Sequence, residues 1–414
     1  VETLLETSSP RGRIALIKAV DEGRIAPESP GFLHQMSECL DCRACEAACP
    51  SGVAYGRLIE PARAQIERTA AAARSPAAAF LRARLIGTLF TRLDTMRFAA
   101  ALVRFYQRSG LRAFARSSGL LRWLGLEAVE ALAPEMSGRF FVPADRRWPS
   151  DGPARAVAFL HAGCIMQVAF AEWNEATVRV LRRCGCDVIA PAAQGCCGAI
   201  AIHAGDLERG RALARANIAA FERSGADTYV VNAAGCGSAL KEYRELLAPD
   251  PAWSDRAAAF SARVRDVTEY LDELGLAPEL GVLDQVVTYA EPCHLAHAQR
   301  ITAAPRRLLA AIPGLRLREM NESSLCCGGA GIYGLTQPEM AERLRKRKVA
   351  NTLAVSPEVV VTANPGCALT LTNGLREAGA TLAVRHVVQM LDESYAAYRP
   401  TSRASSESAA TTVG

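Results

Sequence analysis

Gln194-Gly-Cys-Cys-Gly-Ala-Ile200 sets two cysteines side by side between glycines, and Leu325-Cys-Cys-Gly-Gly-Ala-Gly331 nearly repeats it. The likeness extends outward from these pairs. Cys164 precedes Cys196-Cys197 and Cys236 follows it; Cys293 precedes Cys326-Cys327 and Cys367 follows it, at offsets of 129, 130, 130 and 131 residues. Farther on, VRDVTEYLDE (264–273) echoes VRHVVQMLDE (384–393). Four cysteines held in step over so long a period mark a duplication, each copy one folding unit.

Within each copy, short apolar runs alternate with helical periodicity. In the first, AVAFLHAGC, CDVIAP and DTYVVNAAGC read as strands, with helices at NEATVRVLRRCG, DLERGRALARANIAAFERSG and SALKEYRELL. In the second, VVTYAEPC, LRLREM and EVVVTANPGC are the strands, and PRRLLAAI, PEMAERLRKRKVANTL and the stretch after Cys367 the helices. Such alternation predicts α/β units with a parallel sheet covered by helices on both faces. The cysteines fall where strands end, and the carboxyl ends of open α/β sheets are where ligands bind.

Upstream lies CLDCRACEAACP, which places Cys39, Cys42, Cys45 and Cys49 in eleven residues closed by Pro50. The spacing C-x2-C-x2-C-x3-C-P is that of the bacterial ferredoxin run, in which thiolates hold a [4Fe–4S] cluster and the fourth cysteine reaches the other cluster of a pair. Zinc sites normally bring two separated pairs or histidines. The expected organisation is therefore a small α-helical ferredoxin-type domain over 1–56, truncated at its N-terminus, and a helical Arg-rich connector over 57–155. The first cysteine-rich α/β unit follows at 156–275, the second at 285–398, and a disordered tail at 399–414. Between Arg74 and Arg122 the connector carries ten arginines and one acid, Asp94, interleaved with Phe80, Leu89, Phe98 and Phe105. That pattern suits an amphipathic connector packed on the rest of the molecule, or contact with a membrane surface. VPADRRWPSDGPAR (142–155) reads as a polar linker.

The 414 residues carry 14 cysteines and a formal charge of +5, too mild to argue for nucleic acid. No charge-free apolar run is long enough to cross a membrane, and no signal peptide is evident at the given N-terminus. Clustered thiols in such a chain indicate a cytoplasmic protein doing metal or redox work. The adjacent pairs are expected to ligate iron with their flanking cysteines, Cys164 and Cys236 in the first unit, Cys293 and Cys367 in the second. A structural zinc site or a thiol–disulfide module is the alternative of another class. Cys184 and Cys186 lack counterparts in the second unit and read as structural. His294, His297 and His203 could tune a cluster, carry protons or serve only as structural residues. No dinucleotide fingerprint and no nucleophile constellation is present, so no catalytic residue is expected and an electron conduit is the simplest reading.

Several strings carry a family resemblance: SPRGRIALIKAV (9–20), CLDCRACEAACPSGVAYGRLIE (39–60), QGCCGAIAIHAGD (194–206), NAAGCGSALKEY (232–243), EPCHLAHAQR (291–300) and LCCGGAGIYGLTQPEMAERL (325–344). Together they resemble the iron–sulfur subunits of glycolate oxidase (glycolate dehydrogenase), within the cysteine-rich CCG-domain oxidoreductases related to heterodisulfide reductase. The resemblance implies an electron-transfer subunit that takes electrons from FAD-binding partners oxidising glycolate to glyoxylate and relays them toward membrane quinone. A lactate or glycerol-3-phosphate dehydrogenase iron–sulfur subunit is the sibling alternative. It also implies a cysteine run ahead of Ser9. With that run, Cys39, Cys42 and Cys45 hold one cluster and Cys49 the other; without it, the four hold a single cluster. The relative's CCG signature ends in C-x-x-C, whereas Ala239 and Thr370 stand at those positions here. Each unit thus offers four thiols.

Overall fold

The computed structural model describes residues 4–73, 88–89, 91–126, 130, 133–329, 331 and 333–399. The expected tail from 400 onward and connector residues 74–87 lie outside them.

Two sheets organise the C-terminal two-thirds. The first contains β1 (Arg146–Trp148), β2 (Ala156–His161), β3 (Cys186–Ala190), β4 (Thr228–Val231) and β5 (Val264–Asp266), in the order β1-β3-β2-β4-β5. The second contains β6 (Val286–Tyr289), β7 (Arg316–Leu317), β8 (Val359–Thr362) and β9 (Ala383–His386), in the order β7-β6-β8-β9. Apart from the antiparallel edge strand β1, every pairing is parallel. The order of the parallel strands is the same in both sheets, so the duplication seen in the cysteines is a duplication of topology.

Three strands differ from the sequence reading. The polar stretch 142–155 is not wholly linker: Arg146–Trp148 pairs with Val188–Ala190. Strands β5 and β9 occupy Val264–Asp266 and Ala383–His386 and run directly into helices. Segments of three or four residues fused to a helix leave too little alternation to stand out from the helical period.

Period-two alternation explains the layering. In the first sheet, Ala158, Leu160, Val188 and Val230 face one core, while Phe159, Tyr229 and Val231 face another. The first of these cores continues into Val287, Tyr289 and Val361 of the second sheet, so one shared layer joins the two units. The far side of the second sheet packs Val360 with Leu371 and Leu375. Reciprocal ion pairs straddle the shared layer: Arg179 holds Asp392 at 2.7 Å, and Arg307 holds Asp272, with Nε 2.8 Å from Oδ1. Asp272 and Asp392 are equivalent positions of the repeated VRxV…LDE segments.

The N-terminal region is helical: α1 (Pro10–Asp21), α2 (Pro30–Ser37), α3 (Ala44–Ala47) and α4 (Gly56–Ala73). Ser9 caps α1 by accepting from Gly12 N at 3.0 Å, and Pro10 sits at the first helical position, where its missing N–H costs nothing. Val20, Phe32, Met36, Tyr55 and Ile59 form a small separate core around Cys39. The connector follows as α5 (Leu93–Arg108), α6 (Leu111–Ser117) and α7 (Leu120–Trp123).

Candidate metal centre

The strand order sets the cysteines. In each unit the first and third strands are neighbours, β2 beside β4 and β6 beside β8, while the second strand lies on the far side of the first. The chain therefore leaves the two neighbouring strands in opposite directions and opens a crevice at their carboxyl ends. Cys164 follows β2 and Cys236 follows β4 across that crevice; Cys293 follows β6 and Cys367 follows β8 in the same way. The adjacent pairs arrive from the loops after β3 and β7. The glycine after each pair has φ near +80° (+81° at Gly198, +82° at Gly328), a conformation that side chains with a Cβ disfavour. At Gly328 a Cβ would also lie 2.6 Å from the carbonyl oxygen of Ala341.

The expected thiols do meet. In the first unit Cys164 contacts Cys196, Cys196 contacts Cys197, and Cys197 Sγ lies 3.1 Å from Cys236 Sγ. In the second, Cys326 hydrogen-bonds with Cys293 and Cys327, and Cys327 with Cys367. The hydrogen bond to Cys196, followed by burial, pushes the Cys164 thiol well up; the bond to Cys327, followed by burial, does the same for Cys367. Cys327 goes the other way: its bonds with Cys326 and Cys367 hold its thiol well down against burial. A cation standing among such sulfurs deprotonates each thiol that coordinates it.

The N-terminal cysteines divide. Burial, with Cys293, Cys39 and Cys45 nearby, pushes Cys42 up to about 12, and burial beside Cys39 pushes Cys45 up to about 11. Cys49 is governed instead by the backbone amides of Val53, Ser51 and Gly52, which hold its thiol low. Cys39 accepts from the amide of Asp41 at 3.4 Å and from the Tyr55 hydroxyl at 3.7 Å. Similar donors serve the units: Gly198 N to Cys196 and Asn364 Nδ2 to Cys367, both at 3.4 Å. Buried sulfurs already met by N–H donors, grouped three or four together, are the donor set an iron–sulfur cluster requires.

The loop bearing Cys39–Cys45 docks against both units. Asp41 and Arg43 take left-handed backbone conformations, φ 53° and 61°. Arg43, 5% exposed, reaches Asp41 at 3.4 Å, Glu46 at 2.9 Å and Glu242 of the first unit. A Cβ at residue 56 would overlap the Arg43 guanidinium, so Gly56 is what leaves room for it. His203 pairs with Asp41 at 3.2 Å and with Glu60 at 3.3 Å. Against the penalty of burial, its bonds to Asp41 and Glu60 raise its pKa to about 10 and keep it an imidazolium. On the second unit, His294 Nε2 lies 2.9 Å from the Asp41 carbonyl oxygen, and the Tyr333 hydroxyl donates to the Glu38 carbonyl at 2.8 Å. Burial lowers His294 to about 4, and it is neutral. His297 sits 3.0 Å from the Ser324 carbonyl oxygen. Cys184 and Cys186 lie buried in the shared core, each 3.7 Å from a tyrosine hydroxyl, of Tyr395 and Tyr270 respectively.

Asp41, Arg43, Glu242, His161 and Lys348 were not legible as site residues. The signal for Asp41 and Arg43 was their place between the cysteines of CLDCRAC, and for His161 its place three residues before Cys164. Lys348 gave none, since it sits in a run of charged residues.

Comparison with known proteins agrees with this geometry. The cysteine-rich (CCG) domain profile matches residues 158–241 and 287–372. The profile of the linker region of the glycolate oxidase iron–sulfur subunit matches 77–133. The chain is 41% identical over 395 residues to the probable glycolate oxidase iron–sulfur subunit of Bacillus subtilis (strain 168), covering 94% of this chain and 88% of that protein. It is 33% identical to the glycolate oxidase iron–sulfur subunit of Escherichia coli (strain K12), again covering 94% and 88%. Lactate utilization protein A of Shouchella clausii is 30% identical over 56% of this chain and 97% of its own length. The likeness to the glycolate oxidase subunits runs through the N-terminal cysteines, the connector and both units, and the chain belongs to the glycolate oxidase iron–sulfur subunit family.

Proposed function

We propose that this chain is the iron–sulfur electron-transfer subunit of a glycolate oxidase complex. It takes electrons from an FAD-bearing partner that oxidises glycolate to glyoxylate and passes them toward membrane quinone. The observation that carries the reading is the gathering of thiols into three groups, with Cys293 close enough to Cys42 to bear on its ionisation. Cys39, Cys42 and Cys45 would hold a [4Fe–4S] cluster at the docked loop, and Cys49 would serve a second. Cys164, Cys196, Cys197 and Cys236 would hold one further cluster, and Cys293, Cys326, Cys327 and Cys367 another. Bound clusters supply one-electron transfer. The protein's part is to fix the sulfurs, aim N–H donors at them and exclude water, which together set the potentials.

The division into an N-terminal cluster domain, a helical connector and two CCG units is part of this proposal, supported by the separate small core around Cys39. All fourteen cysteines are free thiols, which suits a reducing cytoplasm. Among the described residues no helix is long and apolar enough to cross a membrane. Peripheral contact is supported by α5–α7, which expose Phe98, Phe105, Phe114 and Trp123, the last at 81%, among arginines. The match of the connector to the glycolate oxidase linker favours glycolate over lactate or glycerol 3-phosphate.

The test is metal analysis and turnover of the anaerobically purified complex. Brown protein with iron matching sulfide, and glycolate-driven quinone reduction lost in Cys42→Ser, is expected. Iron-free protein fully competent in that reaction, or colourless protein holding stoichiometric zinc, overturns it. Co-sedimentation with anionic vesicles, lost in Trp123→Ser/Phe114→Ser, checks the membrane surface.

A further inference from the structure

The first unit's sulfurs have a neighbour that the second unit lacks. A ring nitrogen of His161, Cys197 Sγ and Cys236 Sγ all lie within 4.8 Å of one another. His161 closes strand β2 three residues before Cys164. The matching position before Cys293 is Ala290.

The imidazole is 1% exposed, and its two nitrogens differ. Nδ1 lies 2.8 Å from the hydroxyl of Tyr229, which is buried on the neighbouring strand β4. Nε2 is buried and has no hydrogen-bond partner among the described residues. Leaving a polar nitrogen dry and unpaired is costly, and buried polar atoms without partners are uncommon. A neutral imidazole with one nitrogen hydrogen-bonded keeps a lone pair on the other. A neutral imidazole whose other nitrogen is held by a hydrogen bond is the usual form of a metal-ligating histidine.

We propose that His161 is a nitrogen ligand of the metal cluster in the first CCG unit, making that centre mixed thiolate–imidazole while the second is ligated through sulfur. The bond is dative, from the Nε2 lone pair to iron. No proton leaves, because the ring hydrogen stays on Nδ1 and is donated to the Tyr229 hydroxyl oxygen. His161 joins Cys164, Cys196, Cys197 and Cys236 as a fifth ligand, and a neutral imidazole adds no negative charge where a fifth thiolate would, so the reduction potential lies above that of a five-thiolate centre. The first centre is thereby made a better electron acceptor than a five-thiolate one.

This inference rests on the proposal that the first unit holds an iron cluster, and the experiment separates the two. Full-length protein labelled with 15N-histidine is purified anaerobically, poised by redox titration, and studied by pulsed EPR and iron analysis. Wild-type protein is expected to show a strongly coupled histidine nitrogen on the signal that Cys197→Ser abolishes. His161→Gln should lose that coupling. His161→Cys should keep the iron, lose the nitrogen and shift the midpoint potential downward, which guards against misfolding of the first variant, and His297→Gln should leave the first-unit signal unchanged. A first-unit signal with no coupled nitrogen, or one whose coupling survives in His161→Gln, overturns the histidine ligand and leaves the cluster standing. If Cys197→Ser alters neither iron content nor any signal, the cluster and its histidine ligand fall together. Zinc bound one to one and lost in His161→Gln also overturns it.

Discussion

Lys348 places an ammonium group, 1% exposed, beside Cys327, Cys367, Cys326 and Cys293. Its Nζ is held by the carbonyl oxygens of Glu322, at 3.2 Å, and Ser323, at the head of the loop that carries the adjacent cysteines. Burial pulls its pKa down, while the neighbouring thiols oppose that shift. Asn217, the eleventh residue of helix α8 (Leu207–Ser224), occupies the same place in the first unit that Lys348 holds in α9 (Pro338–Ala354). Asn217 ties the same loop with neutral bonds, donating to the Cys196 carbonyl at 2.9 Å and accepting from Gly195 N at 2.8 Å. The loop needs only a hydrogen-bond donor there, so the charge on Lys348 acts on the sulfurs. A reduced cluster is one charge more negative, and a unit charge ~8 Å away at an effective dielectric of ~20 is worth about 2 kcal/mol, or ~90 mV for one electron. Lys348→Gln keeps a donor and removes the charge. The midpoint potential of the cluster proposed for the second unit, followed by EPR-monitored titration, is expected to fall on the order of 90 mV while that proposed for the first unit stays put. A second-unit potential that does not move would show the ammonium to be purely structural. The cysteines were legible because spacing is a property of the sequence itself. Lys348 was not, because in Arg343-Leu-Arg-Lys-Arg-Lys-Val349 nothing marks which cation faces inward.

The strands that sequence reading passed over, β5 and β9, share a design that bears on stability. Each ends in the residue that caps the next helix: Asp266 for α10 (Val267–Leu274) and His386 for α11 (Val387–Ala397). Asp266 Oδ1 accepts from Thr268 N at 2.9 Å, and His386 Nδ1 accepts from Val388 N at 3.1 Å. Accepting at Nδ1 requires a neutral ring, and burial drives the His386 pKa down to about 3. The unfolded chain binds its proton near pH 6.5. Between those values the folded state therefore carries fewer protons than the unfolded one. Stability is full above about pH 6.5 and falls, as pH drops toward 3, by about 1.4 kcal/mol per pH unit for this residue. His386→Asn keeps a capping acceptor without the titration. Chemical denaturation at a series of pH values should show the acid-side slope reduced by that amount relative to wild type, and parallel slopes would refute the assignment. His161 and His294, both lowered by burial to about 4, leave a residual slope in the variant. Strands such as Val286–Tyr289 were legible because an apolar run bounded by turns has no other home. Val264–Asp266 was not, since three residues fused to a helix carry no period of their own.

Across the whole molecule, the two units are joined by apolar packing and the N-terminal helical region by charge. The shared layer around Leu160, Val230, Val287 and Val361 is buried on both sides, and no single side chain decides it. The N-terminal region instead meets the units through Arg43, whose guanidinium serves Asp41 and Glu46 of its own segment and Glu242 of the first unit. The arrangement depends on Arg43 because its partners repel one another once it is gone. Burial already pushes Glu242 up to about 7, even with the Arg43 charge opposing it. Removing one member of a buried pair costs roughly 3–5 kcal/mol; because Glu242 keeps some contact with solvent, the lower end of that range applies. Arg43→Met is therefore expected to loosen the docked loop without unfolding either sheet. Hydrogen exchange should accelerate through α1, α2 and α4 and remain unchanged in β2, β4, β6 and β8. The electron passage proposed for the chain should slow, since Cys42 no longer rests beside Cys293. Adding Glu242→Gln to Arg43→Met removes a stranded carboxylate and should restore part of the protection. Uniform exchange in Arg43→Met and wild type would place the docking energy elsewhere, in the Tyr333–Glu38 and His294–Asp41 bonds to the second unit.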